Sequence, residues 1–276
     1  YNPDINVYKD LVRTSLRKLD HILLPFLTLH TSFPVHIAKQ RKIPLIVWGQ
    51  NQSVEQVGKF SHIDSTEMSS WSRKEHDLFN VDIDKLIGNG AQLDERTLNY
   101  YRYPKINKLS KRSVTGIYLS NYFRWDPLSQ NKESVKNGFQ TQHNNATFDI
   151  YERAGSSVYY KIHDLLKFKR VGYRKIADHV AREIRHGRLT TKQGSDLVTF
   201  YSNQKVEIKS FFNWLGVTQS GYEWIKKFPL ADVSNLIYES DEVVKMPKLP
   251  EKLSHMILKG KRPKKDFIIY GKEIFI

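Results

Sequence analysis

Hydrophobic residues between Asp4 and Leu19 recur every three or four positions, a spacing that predicts an amphipathic helix beginning at Asp4. A second helix is predicted over Phe33–Gln40. It leads into Ile43–Trp48, a continuous apolar run that Gly49 closes. A short run of this kind is typical of a strand that is buried on both faces of a parallel sheet. The order of helix, strand and glycine turn predicts an α/β fold.

The pattern of strand followed by helix occurs a second time further along the chain. Val114–Phe123 has the composition of a strand, and Asp126 and Pro127 can begin a helix that runs through Ser134–Gly138. Residues 50–110, between the two predicted strands, are more polar and less regular. The features predicted there are helices near Thr66–Phe79 and Ile83–Leu86 and a turn at Gly88–Gly90.

Beyond about Asn145 the chain changes to consecutive helical patterns. The predicted helices are Ser156–Phe168, Arg174–His186, Thr190–Tyr201, Val206–Leu215, Tyr222–Phe228 and Pro250–Leu258. The last residues, Asp266–Ile276, have the pattern of a β-hairpin that turns near Gly271. We therefore expect two domains, an α/β domain over residues 1–145 and a mainly helical region over residues 146–276.

The amino-acid composition limits the kinds of chemical site and partner that the chain can have. The 276 residues include no cysteine, which excludes disulfides, thiolate zinc sites, iron–sulfur clusters and a cysteine nucleophile among them. A formal charge of +15 and a pI near 9.7 indicate phosphate-bearing partners such as nucleotides, nucleic acid or anionic lipid. The longest apolar runs are far shorter than the roughly 18–20 residues of a membrane-spanning helix, so we expect none. Because the chain begins at Tyr1, we expect it to be part of a longer protein.

The end of the first predicted strand is a candidate nucleotide site. Open α/β sheets bind ligands beyond the carboxyl ends of their strands, which is where Gly49, Gln50 and Asn51 stand. Glycine lets the backbone approach a ligand, and the two amides can hydrogen-bond to it. The alternative is a strand that simply ends in a polar turn.

The end of the second predicted strand carries Arg124, Trp125 and Asp126. A cation, an aromatic face and a carboxylate are the groups that a nucleotide or a sugar phosphate can use. The alternative is that Asp126 caps the following helix while Arg124 packs on Trp125. The residues alone leave both interpretations open.

The predicted helix Arg174–His186 has one apolar face and one strongly basic face. Candidate ligands for a diphosphate on the basic face and just beyond the helix are Lys175, His179, Arg182, Arg185 and Arg188. The alternative is a solvated helix stabilised by pairs four residues apart, Asp178 with Arg182 and His179 with Glu183.

Well-known catalytic motifs are absent. The sequence has no H-E-x-x-H, Walker A, G-x-G-x-x-G or G-x-S-x-G pattern, which removes the usual support for metalloprotease, P-loop ATPase, simple dehydrogenase and hydrolase functions. The ten histidines follow no ligand spacing, so we expect no metal site built from them.

Three segments of the chain resemble a known protein family. The sequences of Ile43–Asn51, Tyr122–Pro127 and Lys175–Arg188 resemble the N-acetyl sugar amidotransferases of the PP-loop ATP pyrophosphatase superfamily, which act in surface-polysaccharide and lipopolysaccharide (LPS) pathways. The resemblance covers most of residues 1–228, and Asp178–Arg188 is its most specific part. It implies an adenine-nucleotide α-hydrolase-like, Rossmann-like sheet followed by a helical extension.

The resemblance also implies an activity. Such an enzyme converts an acetamido group on a nucleotide-activated sugar to an acetamidino group, using ATP and Mg²⁺. ATP adenylates the amide oxygen with release of pyrophosphate, and ammonia then displaces AMP. The ammonia comes from a separate glutaminase that resembles imidazole glycerol phosphate synthase. We expect the enzyme to be cytoplasmic and expect its strand end and basic helix to border one cleft.

The sequence departs from the family pattern in two respects. The SGGxDS loop that would bind the ATP phosphates at a helix N-terminus is absent, and we expect it upstream of Tyr1. The cysteines common in the family are absent as well. Two alternative functions therefore remain, a PP-loop enzyme that modifies tRNA and a basic binding subunit without catalysis, although we do not expect a nucleic-acid partner.

Overall fold

The structure is a computed structural model that describes residues 2–49, 67–74, 78, 80–81, 83–87, 95–104, 114–123, 127–139, 146–149, 159–204 and 206–227. These residues divide into two compact units, one with the described residues up to 123 and one with those from 127 onward. Within them the fold is mixed α/β, mostly helical with a small parallel sheet. The predicted helix Pro250–Leu258, the C-terminal hairpin and the turn at Gly88–Gly90 lie outside the described residues.

The first unit opens with two packed helices. Helix α1 (Ile5–Leu19) begins where the sequence predicts, because the Asp4 carboxylate accepts hydrogen bonds from the backbone N–H groups of Asn6 and Val7. Helix α2 (Leu24–Arg41) is much longer than the predicted Phe33–Gln40. It contains the apolar stretch before Phe33 because that stretch supplies part of the buried face of the helix.

Short helices complete the helical layer of this unit. They are α3 (Ser70–Ser72), α4 (Ile83–Ile87) and α5 (Glu95–Tyr101). Helix α4 confirms the helix predicted at Ile83–Leu86, whereas the helix predicted over Thr66–Phe79 is represented among the described residues by the single turn of α3. Helices α4 and α5 pack on α1 and α2, respectively, around Leu11, Leu24, Ile83, Leu86 and Tyr101.

Strands β1 (Leu45–Trp48) and β2 (Thr115–Tyr118) form a parallel pair, with Leu45 opposite Thr115 and Trp48 opposite Tyr118. The two predicted strands and the parallel sheet expected around β1 are thereby confirmed, although β2 is shorter than the predicted Val114–Phe123 because a 3₁₀ turn, Leu119–Asn121, follows it. The expectation that β1 is buried on both faces is wrong, because Leu45 and Val47 are 47% and 52% exposed. Alternate side chains of a strand point to opposite faces, and α2 packs only on the face that carries Trp48.

The described helices of the second unit are α6 (Pro127–Lys136), α7 (Tyr160–Val171), α8 (Lys175–Arg185), α9 (Thr191–Ser202), α10 (Lys209–Leu215) and α11 (Thr218–Lys226). Each matches a predicted helix to within a few residues at its ends. The core between α8 and α9 comprises Phe148, Ile176, Val180, Leu189, Leu197 and Tyr201. The domain division predicted near residue 145 stays a prediction.

Among the described helices, none combines the length and the apolar character needed to cross a bilayer. Helix α2, the longest of them, has several polar residues, including Lys39 and Arg41, within its 18 residues.

Candidate functional site

The predicted nucleotide site is represented by Gly49, which follows β1 and is exposed. A Cβ atom placed on Gly49 would meet nothing within 4 Å, so the backbone there faces open space. The other residues predicted at the two strand ends lie outside the described residues, namely Gln50, Asn51, Arg124, Trp125 and Asp126. Their roles, and the cleft predicted to join Asn51 to the basic helix, stay predictions.

The parallel register aligns the carboxyl ends of the two strands. Because Trp48 lies opposite Tyr118, Gly49 and the short 3₁₀ turn Leu119–Asn121 leave the sheet at the same edge. Asn121 is buried at this edge. The topology therefore agrees with the rule that places ligands beyond strand ends in α/β folds.

A buried arginine beneath this edge was missed by the sequence analysis. The Arg73 guanidinium lies 4.0 Å from the centroid of the Trp48 ring and donates a 3.4 Å hydrogen bond to the Tyr118 hydroxyl. It also donates a 3.3 Å bond to Oγ1 of Thr31 on α2. Arg73 ties both strands to α2, and because it is fully buried its role is in supporting the strand ends. No periodic pattern around Arg73 could have identified it.

Helix α8 carries the basic face that the sequence analysis singled out. Its apolar residues Ile176 and Val180 are buried, as predicted. Its polar face is largely buried as well, since His179 and Glu183 are 2% and 3% exposed. The alternative interpretation of this face as solvated is therefore wrong for much of the helix.

Four side chains on and near α8 form a buried ion cluster, which consists of Asp149, Arg182, Glu183 and Arg188. Arg182 donates 2.7 Å hydrogen bonds to Asp149 Oδ2 and to Glu183 Oε1. Arg188 donates from Nε to Glu183 Oε2 and from Nη2 to Glu183 Oε1. Two carboxylates thus neutralise two guanidinium groups, so Arg182 and Arg188 have their charges satisfied within the protein.

The charges in this cluster alter one another's ionisation. Burial by itself would raise the pKa of the Glu183 carboxyl, but the hydrogen bonds from Arg188 and the charge of Arg182 bring that pKa below its ordinary value. Burial would lower the pKa of Arg182, and the charges of Asp149 and Glu183 outweigh it and raise that pKa. Glu183 is therefore ionised in the folded protein at neutral pH.

Residues 146–149 cover the polar face of α8. Thr147 Oγ1 and His179 Nδ1 share a 2.6 Å hydrogen bond, and the Asp149 N–H donates to Thr147 Oγ1 at 3.2 Å. His179 is thus a buried hydrogen-bonding residue. Because residues 146–149 are all buried, this short segment is an integral part of the second unit.

Helix α7 supports the start of α8. The Asp164 carboxylate accepts a 2.6 Å bond from the Lys175 backbone N–H, one of the unsatisfied donors at the α8 N-terminus. Burial raises the pKa of Asp164, and this hydrogen bond partly offsets the rise. Lys167 pairs with Asp178 at 2.6 Å, so Asp178 bonds to α7 and not to Arg182, the partner that the alternative interpretation gave it.

The predicted substrate ligands on α8 therefore differ in accessibility. Arg188 is buried, Arg182 is 17% exposed, and both donate to carboxylates. Lys175 is half-buried, and Arg185 is exposed at the end of the helix. Arg185 is thus the predicted ligand on this helix best placed to meet a solute.

The described residues contain no group of three or more histidine, aspartate or glutamate side chains arranged to hold a metal ion. Arg73, which supports the described strand ends, is buried and is therefore not placed to contact a ligand there. The first unit therefore offers an open glycine edge. The second unit, taken by itself, offers a helix on which Arg182 is paired and Arg185 is exposed.

The fold and the site define a mixed α/β protein with a small parallel sheet and a helical unit built around a buried ion cluster. Residues 138–261 match a protein-family model described as LPS biosynthesis protein WbpG-like, C-terminal domain. The match covers a little under half of the chain and includes helices α7 to α11. No curated protein matches the chain. The family match supports a role in LPS biosynthesis.

Proposed function

We propose that this protein is the ATP-dependent subunit of an N-acetyl sugar amidotransferase in LPS biosynthesis. The observation that carries the proposal is the match of residues 138–261 to an LPS biosynthesis family model. That stretch contains Lys175–Arg188, the most specific part of the sequence resemblance to the amidotransferases. The match supports the LPS setting, and the resemblance supplies the reaction.

The proposed reaction replaces the oxygen of an acetamido group by nitrogen. An amide oxygen is a poor leaving group, so ATP first transfers an adenylyl group to it and pyrophosphate leaves. Ammonia then adds to the activated carbon, and AMP leaves with the former amide oxygen. The product is an acetamidino group on the same nucleotide-activated sugar. The ammonia would come from a glutaminase partner similar to imidazole glycerol phosphate synthase, in the cytoplasm.

The carboxyl edge of the sheet is the proposed place for ATP within a PP-loop-like sheet. The open space at Gly49 fits a nucleotide that approaches the backbone closely. Gln50 and Asn51 would then hydrogen-bond to the nucleotide. Mg²⁺ would be held mainly through the ATP phosphates, because the described residues offer no cluster of ligands for it.

The basic helix is the proposed support for the sugar nucleotide. The buried ion cluster fixes α8, and on this fixed helix Lys175 and Arg185 would contact the diphosphate. Arg182 and Arg188 would act indirectly by holding α8 in position. Arg124, Trp125 and Asp126 are further proposed contacts.

The reaction itself is the test. The purified protein is incubated with ATP, Mg²⁺, ammonium chloride and UDP-linked acetamido sugars, so that free ammonia replaces the glutaminase. We expect mass spectrometry to detect exchange of oxygen for NH in the sugar and formation of an equal amount of AMP. A UDP-sugar with a hydroxyl in place of the acetamido group is the control and should give neither product.

Two outcomes would contradict the proposal. Absence of both AMP and the amidino product with every donor would remove the amidotransferase activity. AMP formation that depends on added tRNA and not on a sugar would favour the tRNA-modifying alternative.

A further inference from the structure

Two large apolar side chains are exposed at the carboxyl edge of the sheet. Leu119 and Phe123, which follow β2, are 39% and 50% exposed, whereas the polar residue between them, Asn121, is buried. Throughout the described ranges, no ring or cation packs against the Phe123 ring. Exposed apolar side chains beside a buried polar one are the reverse of an ordinary surface turn, and they indicate a surface that contacts another molecule.

The two apolar side chains lie on one side of the turn. The Phe123 N–H donates a 3.0 Å hydrogen bond to the Leu119 carbonyl, and the Tyr122 N–H donates a 3.1 Å bond to the same oxygen. A hydrogen bond between residues four apart closes one helical turn, on which the first and fifth side chains are neighbours. Leu119 and Phe123 therefore form a single apolar patch.

The apolar patch lies beside the open backbone of Gly49. Because Trp48 lies opposite Tyr118 in the parallel pair, the next residue after each strand, Gly49 and Leu119, leaves the sheet next to the other. A Cβ atom on Gly49 would meet nothing within 4 Å. The edge therefore presents an apolar surface and, next to it, a backbone that a ligand can approach.

The residues beneath the apolar patch are held in place. Tyr118, directly before Leu119, is fully buried, and its hydroxyl accepts a 3.4 Å hydrogen bond from Arg73. The same guanidinium lies 4.0 Å from the ring centroid of Trp48, directly before Gly49. Both strand ends are thus ordered from below. A site with an ordered framework loses little conformational entropy when it binds a ligand.

We propose that the apolar patch is the platform on which the adenine ring of ATP stacks. This inference rests on the proposed function, because it assigns a contact within the ATP site proposed there. A nucleobase has an apolar face and a polar edge. The face packs on Phe123 and Leu119, and the polar edge hydrogen-bonds to the open backbone at Gly49. The patch thereby selects for a base and makes no contact with the phosphates.

The uracil of a nucleotide-linked sugar has the same combination of flat face and polar edge. We assign adenine to the patch because a purine has two fused rings, which can cover Leu119 and Phe123 together, whereas the single ring of a pyrimidine covers less of this surface. UDP without its sugar carries the uracil alone. Comparison of ATP with UDP therefore distinguishes the two sources of the base.

The first test is a calorimetric titration of the protein with ATP, tripolyphosphate and UDP, each with Mg²⁺. We expect Phe123→Ala to weaken ATP about five- to tenfold, because alanine cannot stack on the base, and to change tripolyphosphate, which has no base, less than about twofold. Phe123→Trp should keep ATP affinity within about twofold of wild type. The control is Leu45→Ala, which removes a side chain of similar exposure, 47%, at the amino end of β1 and should change ATP affinity less than about twofold.

The second test measures the amidotransferase reaction itself. A stacking contact that is equally strong in the bound substrate and in the transition state lowers KM and leaves kcat unchanged. We therefore expect Phe123→Ala to raise the KM for ATP about five- to tenfold and to keep kcat within about twofold of wild type. Because Phe123 is half-exposed, the melting temperature of this variant should stay within about 2 °C of wild type.

Three results would overturn the inference. One is that Phe123→Ala weakens ATP and tripolyphosphate equally. Another is that it weakens UDP and not ATP, which would give the patch to the nucleotide-linked sugar. The third is that it abolishes a dimer seen by sedimentation and leaves ATP affinity unchanged, which would make the patch an interface between two copies of the chain.

The results also separate this inference from the proposed function. If wild type forms AMP and the amidino sugar while Phe123→Ala leaves ATP affinity unchanged, only the stacking platform is wrong. If ATP affinity depends on Phe123 and wild type forms neither product, only the amidotransferase function is wrong. Failure of wild type to bind ATP at about 10 mM would overturn both.

Discussion

Glu183 is the residue that pairs with two guanidinium groups at once. Its carboxylate accepts hydrogen bonds from both Arg182 and Arg188, and its side chain is 4% exposed. Removal of one partner from a buried ion pair leaves an uncompensated charge, which costs about 3–5 kcal/mol. The cluster is therefore a structural requirement of the second unit.

The substitution Glu183→Gln tests this requirement. It keeps the size of the side chain and removes the charge, so we expect the free energy of unfolding at pH 7 to fall by about 3–5 kcal/mol in urea denaturation. The control is Glu133→Gln on α6, where the exposed carboxylate pairs with exposed Lys136 and the expected change is below about 0.5 kcal/mol. Equal effects of the two substitutions would contradict the structural role of the cluster.

The variant Glu183→Gln should also change how the free energy of unfolding depends on pH. The pKa of Glu183 is lower in the folded protein than in the unfolded chain, so its charge stabilises the fold above the unfolded pKa of about 4.3. This contribution is lost as the pH falls through the folded-state pKa. The stability gap between wild type and Glu183→Gln should be widest above about pH 5 and should shrink as the pH falls below the unfolded-state pKa of about 4.3. A gap of constant size would show that the charge is not the cause.

The pKa of Asp164 shifts in the opposite direction, but this shift does not affect the comparison of wild type with Glu183→Gln. Burial raises its pKa, so ionisation of Asp164 at neutral pH opposes folding, apart from the bond that it accepts from Lys175. Wild type and Glu183→Gln both retain Asp164. Its contribution therefore cancels in the difference between the two proteins.

At the scale of elements, the contact between α8 and α9 depends on a glycine that is the fourth residue of α9. A Cβ atom at Gly194 would lie 2.5 Å from Val180 Cγ1 and 2.9 Å from Ile184 Cδ1. Both atoms belong to α8, so the glycine allows the two helices to approach closely. Propensity and packing oppose each other here, because alanine is the better helix former by about 1 kcal/mol.

Packing should decide the sign of the substitution Gly194→Ala. We expect a loss of about 1–3 kcal/mol in the free energy of unfolding, because overpacking of a tight core outweighs the gain in helix propensity. Ser195→Ala, at the next and exposed position of α9, is the matched control and should change stability by less than about 0.5 kcal/mol. If Gly194→Ala stabilises the protein, the close approach of α8 and α9 is incorrect.

At this scale the sequence predicted where helices and strands lie better than it predicted which of their faces other elements cover. The periodicity of α1 and α8 depends on local spacing, and both helices lie where it predicted them. The length of α2 was underestimated, because Pro34 interrupts the pattern and yet lies inside the helix. The solvent exposure of β1 could not be derived, since a run of apolar residues does not indicate which faces of a strand other elements cover.

At the scale of the whole molecule, the charge of +15 attracts any polyanion. Internal ion pairs reduce the number of cations that can bind a polyanion directly, because Arg182 and Arg188 are already neutralised by Asp149 and Glu183. A high net charge is therefore not by itself evidence for a nucleic-acid function. Long-range attraction remains and is sensitive to salt.

Measurements of RNA binding should distinguish non-specific attraction by the net charge from a specific nucleic-acid function. We expect weak binding at low salt that falls steeply as the salt concentration rises and is lost near about 200 mM, with no preference for tRNA over another RNA of equal length. Filter binding with the two RNAs measures both properties. Tight binding of tRNA alone that survives at about 200 mM would instead support the tRNA-modifying alternative.

The candidate site could be predicted from the sequence only in part. The glycine at the end of β1 and the basic residues of α8 are visible in the sequence, because residue type and spacing are local properties. The burial of His179 and the pairing of Arg182 with Asp149, 33 residues away, are not local and were missed. The same is true of Arg73, whose partners Trp48, Tyr118 and Thr31 come from separate segments.

The sequence by itself determined the α/β order of elements, the positions of most helices, the basic charge and the absence of cysteine chemistry. These properties follow from composition and from the repeat of apolar residues along the chain. Tertiary structure decided which cations are available to a ligand. A guanidinium group has the same formula whether it faces solvent or a buried carboxylate, and only packing brings Asp149 and Glu183 to Arg182 and leaves Arg185 exposed.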